Sequence, residues 1–267
     1  MLMAVITLTT DYGNRDFYAS ALKGHLLQQA PEAQVFDISH DIQPFLLDQA
    51  AFVLGHAYAF FPKGTIHIVS VDEGRSSKYN GLLMRKDGHW FLGPDNGLFS
   101  LLRPELRIEQ LMQLDFRREE SNFPALDLYL PAAAHLAKGG SSDVLGRATN
   151  QWVEKRPLRP TVSADNNSIV GGVLHIDRYG NLITNITGRL IEEHRMGRPL
   201  SIHMGRRQVV QKISAFYDEA GEGETLAIIN SMGYLEIGLN RQVGPENNGA
   251  SQLLGLYLRD RIEVHFK

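Results

Sequence analysis

The apolar pattern changes character once along these 267 residues, and that change restricts the folds open to the chain. In the first half, helical spacing alternates with short β-branched runs. Ala4–Thr10 reads as a buried strand that stops at the turn-forming Asp11-Tyr12-Gly13. Phe17–Gln29 places Ala21, Leu22, Leu26 and Leu27 on one helical face, and Pro31 ends it. Ala33–Ser39 is a second strand, Leu46–Phe60 a second amphipathic helix closed by Pro62, and Gly64–Asp72 a nearly continuous apolar strand. Asn80–Arg85 and Gly88–Leu92 form a hairpin, and Leu128–Lys138 a further helix. From Ile169 onward only short strands follow: 169–177, 182–186, 200–204, 208–213, 225–230, 234–239 and 261–266. The expected architecture is an α/β domain with a largely parallel sheet over residues 1–160. A smaller all-β, barrel-like domain over residues 161–267 follows it. Pro157, Pro160 and the polar run Ala164–Ser168 mark 156–167 as a linker.

Composition removes several function classes. Lys plus Arg number 27 and Asp plus Glu 30, a balance that speaks against a basic nucleic-acid face. With no cysteine, a disulfide framework, a thiolate zinc site and a cysteine nucleophile are all excluded. No apolar run approaches a membrane span. Met1–Thr10 reads as a strand rather than a signal peptide, so a soluble, cytoplasmic protein is expected. Gly-x-Gly-x-x-Gly after Thr10, a P-loop and Gly-x-Ser-x-Gly are all missing. The ten histidines show no His-x-x-x-His pair, so no metal site is expected.

Four polar segments remain. Asp11 stands just past a parallel strand, where ligands of open α/β sheets bind, and its carboxylate suits a ribose diol; taken alone, the position is better explained as a cap of the next helix. Asp72, in Ser70-Val-Asp-Glu-Gly74, ends another buried strand and could orient a water; the alternative is a solvated turn carboxylate. Asn96 lies in Gly93-Pro-Asp-Asn-Gly97, a strong turn signal by itself. The turn Ile176-Asp-Arg-Tyr-Gly-Asn181 gathers Asp177, Tyr179 and Asn181. A carboxylate beside an amide suits an amino-acid ammonium, and an ordinary Asx-type hairpin turn explains the same residues.

These segments resemble the S-adenosylmethionine (SAM) hydroxide adenosyltransferase family, related to the SAM-dependent fluorinases and chlorinases. The matching pieces are Thr9–Gly13 with Lys23-Gly24, Asp37-Ile-Ser-His40, Phe61–Thr65, Gly93–Gly97, Ile176–Asn181 with Thr184-Asn185, and Asn230-Ser-Met-Gly-Tyr-Leu-Glu236. The resemblance implies a homotrimer whose SAM sites join one subunit's N-domain to a neighbour's C-domain. It implies attack of water or hydroxide on the 5′ carbon of SAM, giving adenosine and methionine, with SAM as substrate and no cofactor. On the same basis Asp11 takes the ribose hydroxyls and Phe216 stacks on adenine. Asp177 and Asn181 hold the methionine end, and Ser231 its carboxylate. Tyr12, Asn96, Tyr179 and Glu236 stand in the matching motifs and join the substrate-binding set.

The chain departs from the family's Asp-Arg-His set. The aspartate matches Asp72, but the following Pro-Gly-Val-Gly is replaced by Glu73-Gly-Arg-Ser76. Lys78 lies nearest the arginine's place, with Arg75 as second candidate; a lysine lacks the planar fork. The family's Phe-His-Gly-Arg-Asp run reads Phe123-Pro124-Ala-Leu-Asp127 here, leaving His40 or His67 as substitutes. The expectation is a SAM hydrolase with Asp72 and Lys78 managing the water. The alternatives are a SAM- or adenosine-binding module without turnover and a halogenase-like enzyme.

Overall fold

Alternation along two neighbouring strands sets the layering of the first sheet. In the computed structural model, which describes residues 3–73, 80–103, 105–115, 122–205, 208–241 and 249–267, the chain begins with β1 (Val5–Thr10), α1 (Tyr18–Gln29), β2 (Gln34–Ser39), α2 (Leu47–Ala57) and β3 (Ile66–Ser70). Ile6 and Leu8 of β1 and Ile66 and Ile68 of β3 point to one side, against Leu22 and Leu26 of α1. Val69 points to the other, against Ala50 and Leu54 of α2. Both faces are covered, so these strands read as unbroken apolar runs rather than half-polar ones. The unit continues with β4 (Gly81–Lys86), β5 (His89–Pro94), the short α3 (Leu98–Leu101), β6 (Ile108–Leu114), α4 (Leu130–Ala137) and β7 (Gly146–Ala148). A single wide turn, Ala125–Tyr129, leads into α4. Tyr129, Leu130, Ala132 and Ala133 pack with α1, while Leu98 and Phe99 pack with α2. The result is a sheet between two helical layers.

The sheet runs β2-β1-β3-β5-β4-β6-β7. Its pairs β1–β2, β1–β3 and β3–β5 are parallel; β4–β5, β4–β6 and β6–β7 are antiparallel. The expectation of a largely parallel sheet is therefore corrected to a mixed one. Asp87 (φ 50°) and Gly88 (φ 72°) form the expected two-residue turn between β4 and β5, a geometry that suits Asp-Gly and reverses the chain, and the unexpected strands β6 and β7 extend the antiparallel side.

The second unit, Pro157–Lys267, contains β8 (Thr161–Val162), β9 (Ser168–Ile176), β10 (Leu182–Thr187), α5 (Gly188–Arg195), β11 (Leu200–Met204), β12 (Gln208–Val210), β13 (Thr225–Ile229), β14 (Tyr234–Leu239), α6 (Ala250–Leu254) and β15 (Arg261–Phe266). Its sheet runs β12-β11-β15-β9-β10-β14-β13 with β8 on β9, and among the described residues each of these strand pairs is antiparallel. The end strands β12 and β13 touch, and Ser214 bridges to Ile228, so the sheet nearly closes into a barrel. Ile169, Ile186, Ile202, Leu235, Ile237 and Val264 fill its interior.

Two details of the second half differ from the sequence reading. Residues expected as linker already belong to this unit: β8 pairs with β9, and Leu158 accepts a hydrogen bond from Asn185 at 3.0 Å. Helix α5 also interrupts the strands. Thr187 caps it by accepting from the Leu190 amide at 3.1 Å, and only Ile191 is buried, so its apolar face is too narrow to show in the sequence.

Candidate functional site

The parallel strands of the first unit all end at one edge, and the loops that follow are tied together by a single carboxylate. Asp11, after β1, accepts from the Phe45 amide at 3.0 Å and from the Asp72 amide at 3.1 Å, both on Oδ2. Phe45 follows β2 and Asp72 follows β3, so one oxygen joins three strand tips. Oδ1 accepts nothing from the described residues. Asp11 does not cap α1: that helix starts behind Phe17 with no side-chain cap. Asp72 itself is left-handed, φ 54°, an uncommon state for a non-glycine residue that Asp tolerates. Asn96, after β5, joins the same edge. It donates to the Val71 carbonyl at 2.9 Å and accepts from the Leu98 amide at 3.2 Å, so its amide fastens the β5 tip to the β3 tip.

Tyr12 builds one wall of this crevice. Its ring meets Phe123 edge-on at 5.6 Å and Tyr18 at 5.7 Å, and Phe17 stacks on Tyr18 at 4.3 Å. The Tyr12 hydroxyl lies 2.5 Å from Ser70 Oγ, and Ser70 in turn donates to Glu73. Burial, reinforced by the Glu73 charge, pushes the Tyr12 hydroxyl pKa upward and keeps the phenol neutral.

The two histidines considered as substitutes part company here. His40 is buried beside the crevice. Its Nδ1 lies 2.8 Å from Thr10 Oγ1, its Nε2 3.1 Å from Asp37, and Asp37 is held by Lys23 at 2.5 Å. Burial opposes the Asp37 charge, yet Lys23 and His40 hold its pKa below the ordinary value. The His40 carbonyl also accepts from Gly13, bracing the Asp11 loop. His67 points the other way, into the layer under α2. There it meets Thr7 Oγ1 at 2.6 Å and His89 at 3.2 Å, beneath Tyr58 and Phe91. Burial drops its pKa to about 3. His67 is a core residue remote from the strand tips, which removes it as a substitute.

The second unit assembles its own polar group. Asp177 Oδ1 accepts from the Tyr179 amide at 2.8 Å and the Asn181 amide at 2.9 Å, and Oδ2 from the Asn181 side chain at 3.0 Å. That is the Asx-type turn offered as the plain explanation. The turn also leads to more. The Tyr217 hydroxyl donates to Glu236 at 2.5 Å, and Asn230 donates to the other Glu236 oxygen at 2.9 Å. Asn181 and the Tyr217 ring both crowd Gly238, where a Cβ would sit 2.7–2.8 Å from them, so this approach requires glycine. Burial, then Glu236, raises the Tyr217 pKa. Asp177, Asn181 and Glu236 are thus brought into one network. Tyr179, Phe216 (70% exposed) and Ser231 stand at the surface.

Lys78 and Arg75 lie outside the described residues. Pro124 is buried at the start of the wide turn before α4 and carries no polar side-chain atom. Sequence reasoning did not single out Tyr217 or Asn230, and it named Ser70 and Glu73 only as members of a segment. A tyrosine next to an expected stacking residue and an amide next to Ser231 were the available signals. Among the described residues no group of three or more His, Asp or Glu is placed to hold a metal, and no helix is long and apolar enough to cross a membrane. An open groove of about 640 Å³ in the second unit, between α5 and the Met232-Gly233 turn, contains none of the expected site residues.

Comparison with known proteins covers the whole of this arrangement. Residues 6–146 match the SAM hydroxide adenosyltransferase N-terminal domain and residues 171–263 its C-terminal domain. An (R)-S-adenosyl-L-methionine hydrolase of Methanocaldococcus jannaschii is 29% identical over 98% of this chain and 96% of its own length. A fluorinase of an Actinoplanes species is 23% identical over 88% of this chain and 91% of its own. Among solved structures, an uncharacterized conserved protein from Thermotoga maritima superposes with a TM-score of 0.85 at 26% identity, over 98% of this chain and 99% of that one.

Proposed function

This chain belongs to the SAM hydroxide adenosyltransferase family, and from that premise we propose that it splits SAM with water or hydroxide into adenosine and methionine. The observation that carries the proposal is the three-tip junction at Asp11. It fixes one carboxylate oxygen by two backbone donors and leaves the other for hydroxyl groups, with Asp72 held alongside. A vicinal diol offers two donors to such an oxygen, which has two lone pairs. That is the recognition a ribose needs.

The sulfonium makes the 5′ carbon electrophilic and leaves as a neutral thioether. The protein need not activate the leaving group; it must place an oxygen in line and exclude bulk water. Asp72 orients that oxygen, and the aromatic wall of Tyr12, Tyr18 and Phe123 keeps the crevice dry. On the second unit, the exposed Phe216 ring offers a stacking platform for adenine. The Asp177 turn keeps one lone pair on Oδ2 for an ammonium, Tyr179 and Ser231 stand beside the methionine end, and Glu236 holds Tyr217 in place. In the homotrimer that the family resemblance implies, the first unit of one subunit works with the second unit of a neighbour. We take the enzyme to be cytoplasmic, where SAM is a common metabolite.

The test is direct. Purified protein incubated with SAM should release adenosine, followed by chromatography, and Asp72→Ala should abolish the release. Pro124, lacking a polar atom where the family carries its histidine, favours a second reading: retention of SAM without turnover. Tight SAM binding with no adenosine after long incubation, at any halide concentration, would establish it. A halide nucleophile is disfavoured because Asp11, Asp72 and Glu73 would repel an anion at this edge.

A further inference from the structure

We propose that Glu73 is the terminal proton acceptor of this site, reached from the attacking water through the hydroxyls of Tyr12 and Ser70. The inference rests on the hydrolase reading above. Water attack on the sulfonium substrate releases one proton: the water oxygen bonds to the 5′ carbon, the carbon–sulfur pair passes to sulfur, and the oxonium formed must lose a proton. Pro124, beside the Phe123 that packs on Tyr12, offers no acceptor for it.

The hydrogen-bond directions define a route. Ser70 donates its only proton to Glu73, so in the short contact between Tyr12 and Ser70, 2.5 Å, Ser70 Oγ accepts from the Tyr12 hydroxyl, which also interacts with the Glu73 carboxylate at the end of the same chain. The Tyr12 oxygen is then left with lone pairs and no proton to give elsewhere, which makes it an acceptor toward the crevice. A proton arriving from water at Tyr12 sends the phenolic proton to Ser70 and the Ser70 proton to Glu73. Each oxygen gains one proton and loses one, and only the carboxylate changes charge.

The placement follows from the strand alternation. Ser70 shares the face of β3 that carries Ile66 and Ile68, which packs toward α1 and α4, and Tyr12 and Phe123 cluster with that same layer. Glu73 is half-buried, with its Oε1 fully buried and its Oε2 engaged by Ser70, so the carboxylate meets the hydroxyl chain at its protected end. The elevated Tyr12 pKa fits a relay that passes protons without forming phenolate. The described titratable groups around the chain are Asp11, which acts on Tyr12 electrostatically, and Asp72, adjacent in sequence; their negative charge favours the arrival of a proton at this edge.

The experiment compares wild type, Glu73→Gln, Glu73→Asp and Ser70→Ala in adenosine release from SAM between pH 5 and 9. Glu73→Gln should lower kcat by roughly 10²–10³-fold with KM within about twofold, the size expected for a lost general base. The acid limb of the kcat profile, where Glu73 must be ionised to accept, should disappear in Glu73→Gln. Glu73→Asp should restore part of the rate. Ser70→Ala, which cuts the chain at its middle, should match the loss and serves as the decisive variant if Glu73→Gln fails to fold. Wild-type turnover together with an indifferent kcat and an unchanged acid limb in these variants overturns the relay alone. Absence of adenosine with the wild type overturns the hydrolase reading and the relay with it.

Discussion

Asp11 and Asp177 are both aspartates that follow a strand, and the two units use them differently. Asp11 accepts two backbone amides on a single oxygen, and those amides come from loops 34 and 61 residues away in sequence. Asp177 accepts three hydrogen bonds over both oxygens, all from within four residues. The first arrangement joins distant strand tips and leaves one oxygen with no backbone donor among the described residues. The second builds its own turn. The difference teaches that a strand-end acid is available for chemistry when parallel neighbours position it, and is absorbed locally when a hairpin does. Removing acids from the first unit should therefore cost rate, and removing them from the second should cost stability.

The largest contrast expected is with pH. The first unit buries His67 with its pKa held at about 3, whereas the His203 and His265 rings of the second unit, 4.7 Å apart, are only half-buried. A histidine with a depressed folded pKa adds stability that is complete above its unfolded value near 6.5 and is lost as pH falls toward 3. The shift corresponds to roughly 4 kcal/mol by pH 3. The first unit should then melt before the second on acidification, and His67→Gln should flatten the slope between pH 6.5 and 4. Circular dichroism and hydrogen exchange resolved by unit check both; simultaneous loss of the two units with an unaltered slope would show that the buried imidazole does not set acid stability.

Next in size is the chemical step. Asp72→Asn keeps a residue type that tolerates the left-handed backbone, so folding should change by less than about 0.5 kcal/mol. Turnover should nevertheless fall by roughly 10²-fold or more, about 3 kcal/mol in the barrier. Adenosine chromatography and a melting curve measured on the same preparation separate the two effects. A large drop in melting temperature with the rate intact would assign Asp72 to the fold instead.

How far this contrast could be read from sequence depended on the range of the interactions. Two strand tips were legible because the apolar runs Ala4–Thr10 and Gly64–Val71 are each followed by turn residues, which marked Asp11 and Asp72 as strand-end acids; Asn96 read only as part of a turn, and its place at the same edge came from its contacts with Val71 and Leu98. The Asp177 turn was legible as a turn for the same local reason. What escaped reading was non-local. Tyr217 meets Glu236 across 19 residues and Tyr12 meets Ser70 across 58, and no periodicity records such pairs. The parallel content was overstated because the Asp87-Gly88 hairpin was recognised, yet β6 and β7 were not, and these extend the antiparallel side. Strand β6 is half-exposed, with Glu109 and Gln113 facing out, so it lacks the unbroken apolar run that revealed β1 and β3.

In the second unit the corresponding substitution is Glu236→Ala. It leaves the half-buried Tyr217 hydroxyl and Asn230 amide without their shared acceptor, at about 1 kcal/mol, the low end of the cost for unsatisfied groups because water can reach part of both residues. The melting temperature of this unit should drop by several degrees, and KM for SAM should rise because the Tyr217–Asn181 face loses its anchor. If KM rises tenfold without a change in melting, the network serves the ligand directly and the division between the units is less sharp than Asp11 and Asp177 indicate.

The smallest effect should come from Phe216→Ala. The ring is 70% exposed and supports no core, so its removal should leave melting unchanged within about 0.5 kcal/mol. If the ring stacks on adenine, truncation removes about 1 kcal/mol of contact, and KM should rise roughly fivefold with kcat nearly constant. Phe216→Tyr, which keeps the platform, should restore KM. This variant sharpens the comparison from the side of the ligand: Asp177, Tyr217 and Glu236 contribute to the fold of the second unit as well as to the ligand, whereas Phe216 would contribute affinity from a ring that the fold itself does not need. An unchanged KM in Phe216→Ala would remove the stacking role and leave that unit's part in the site to the Asp177 turn.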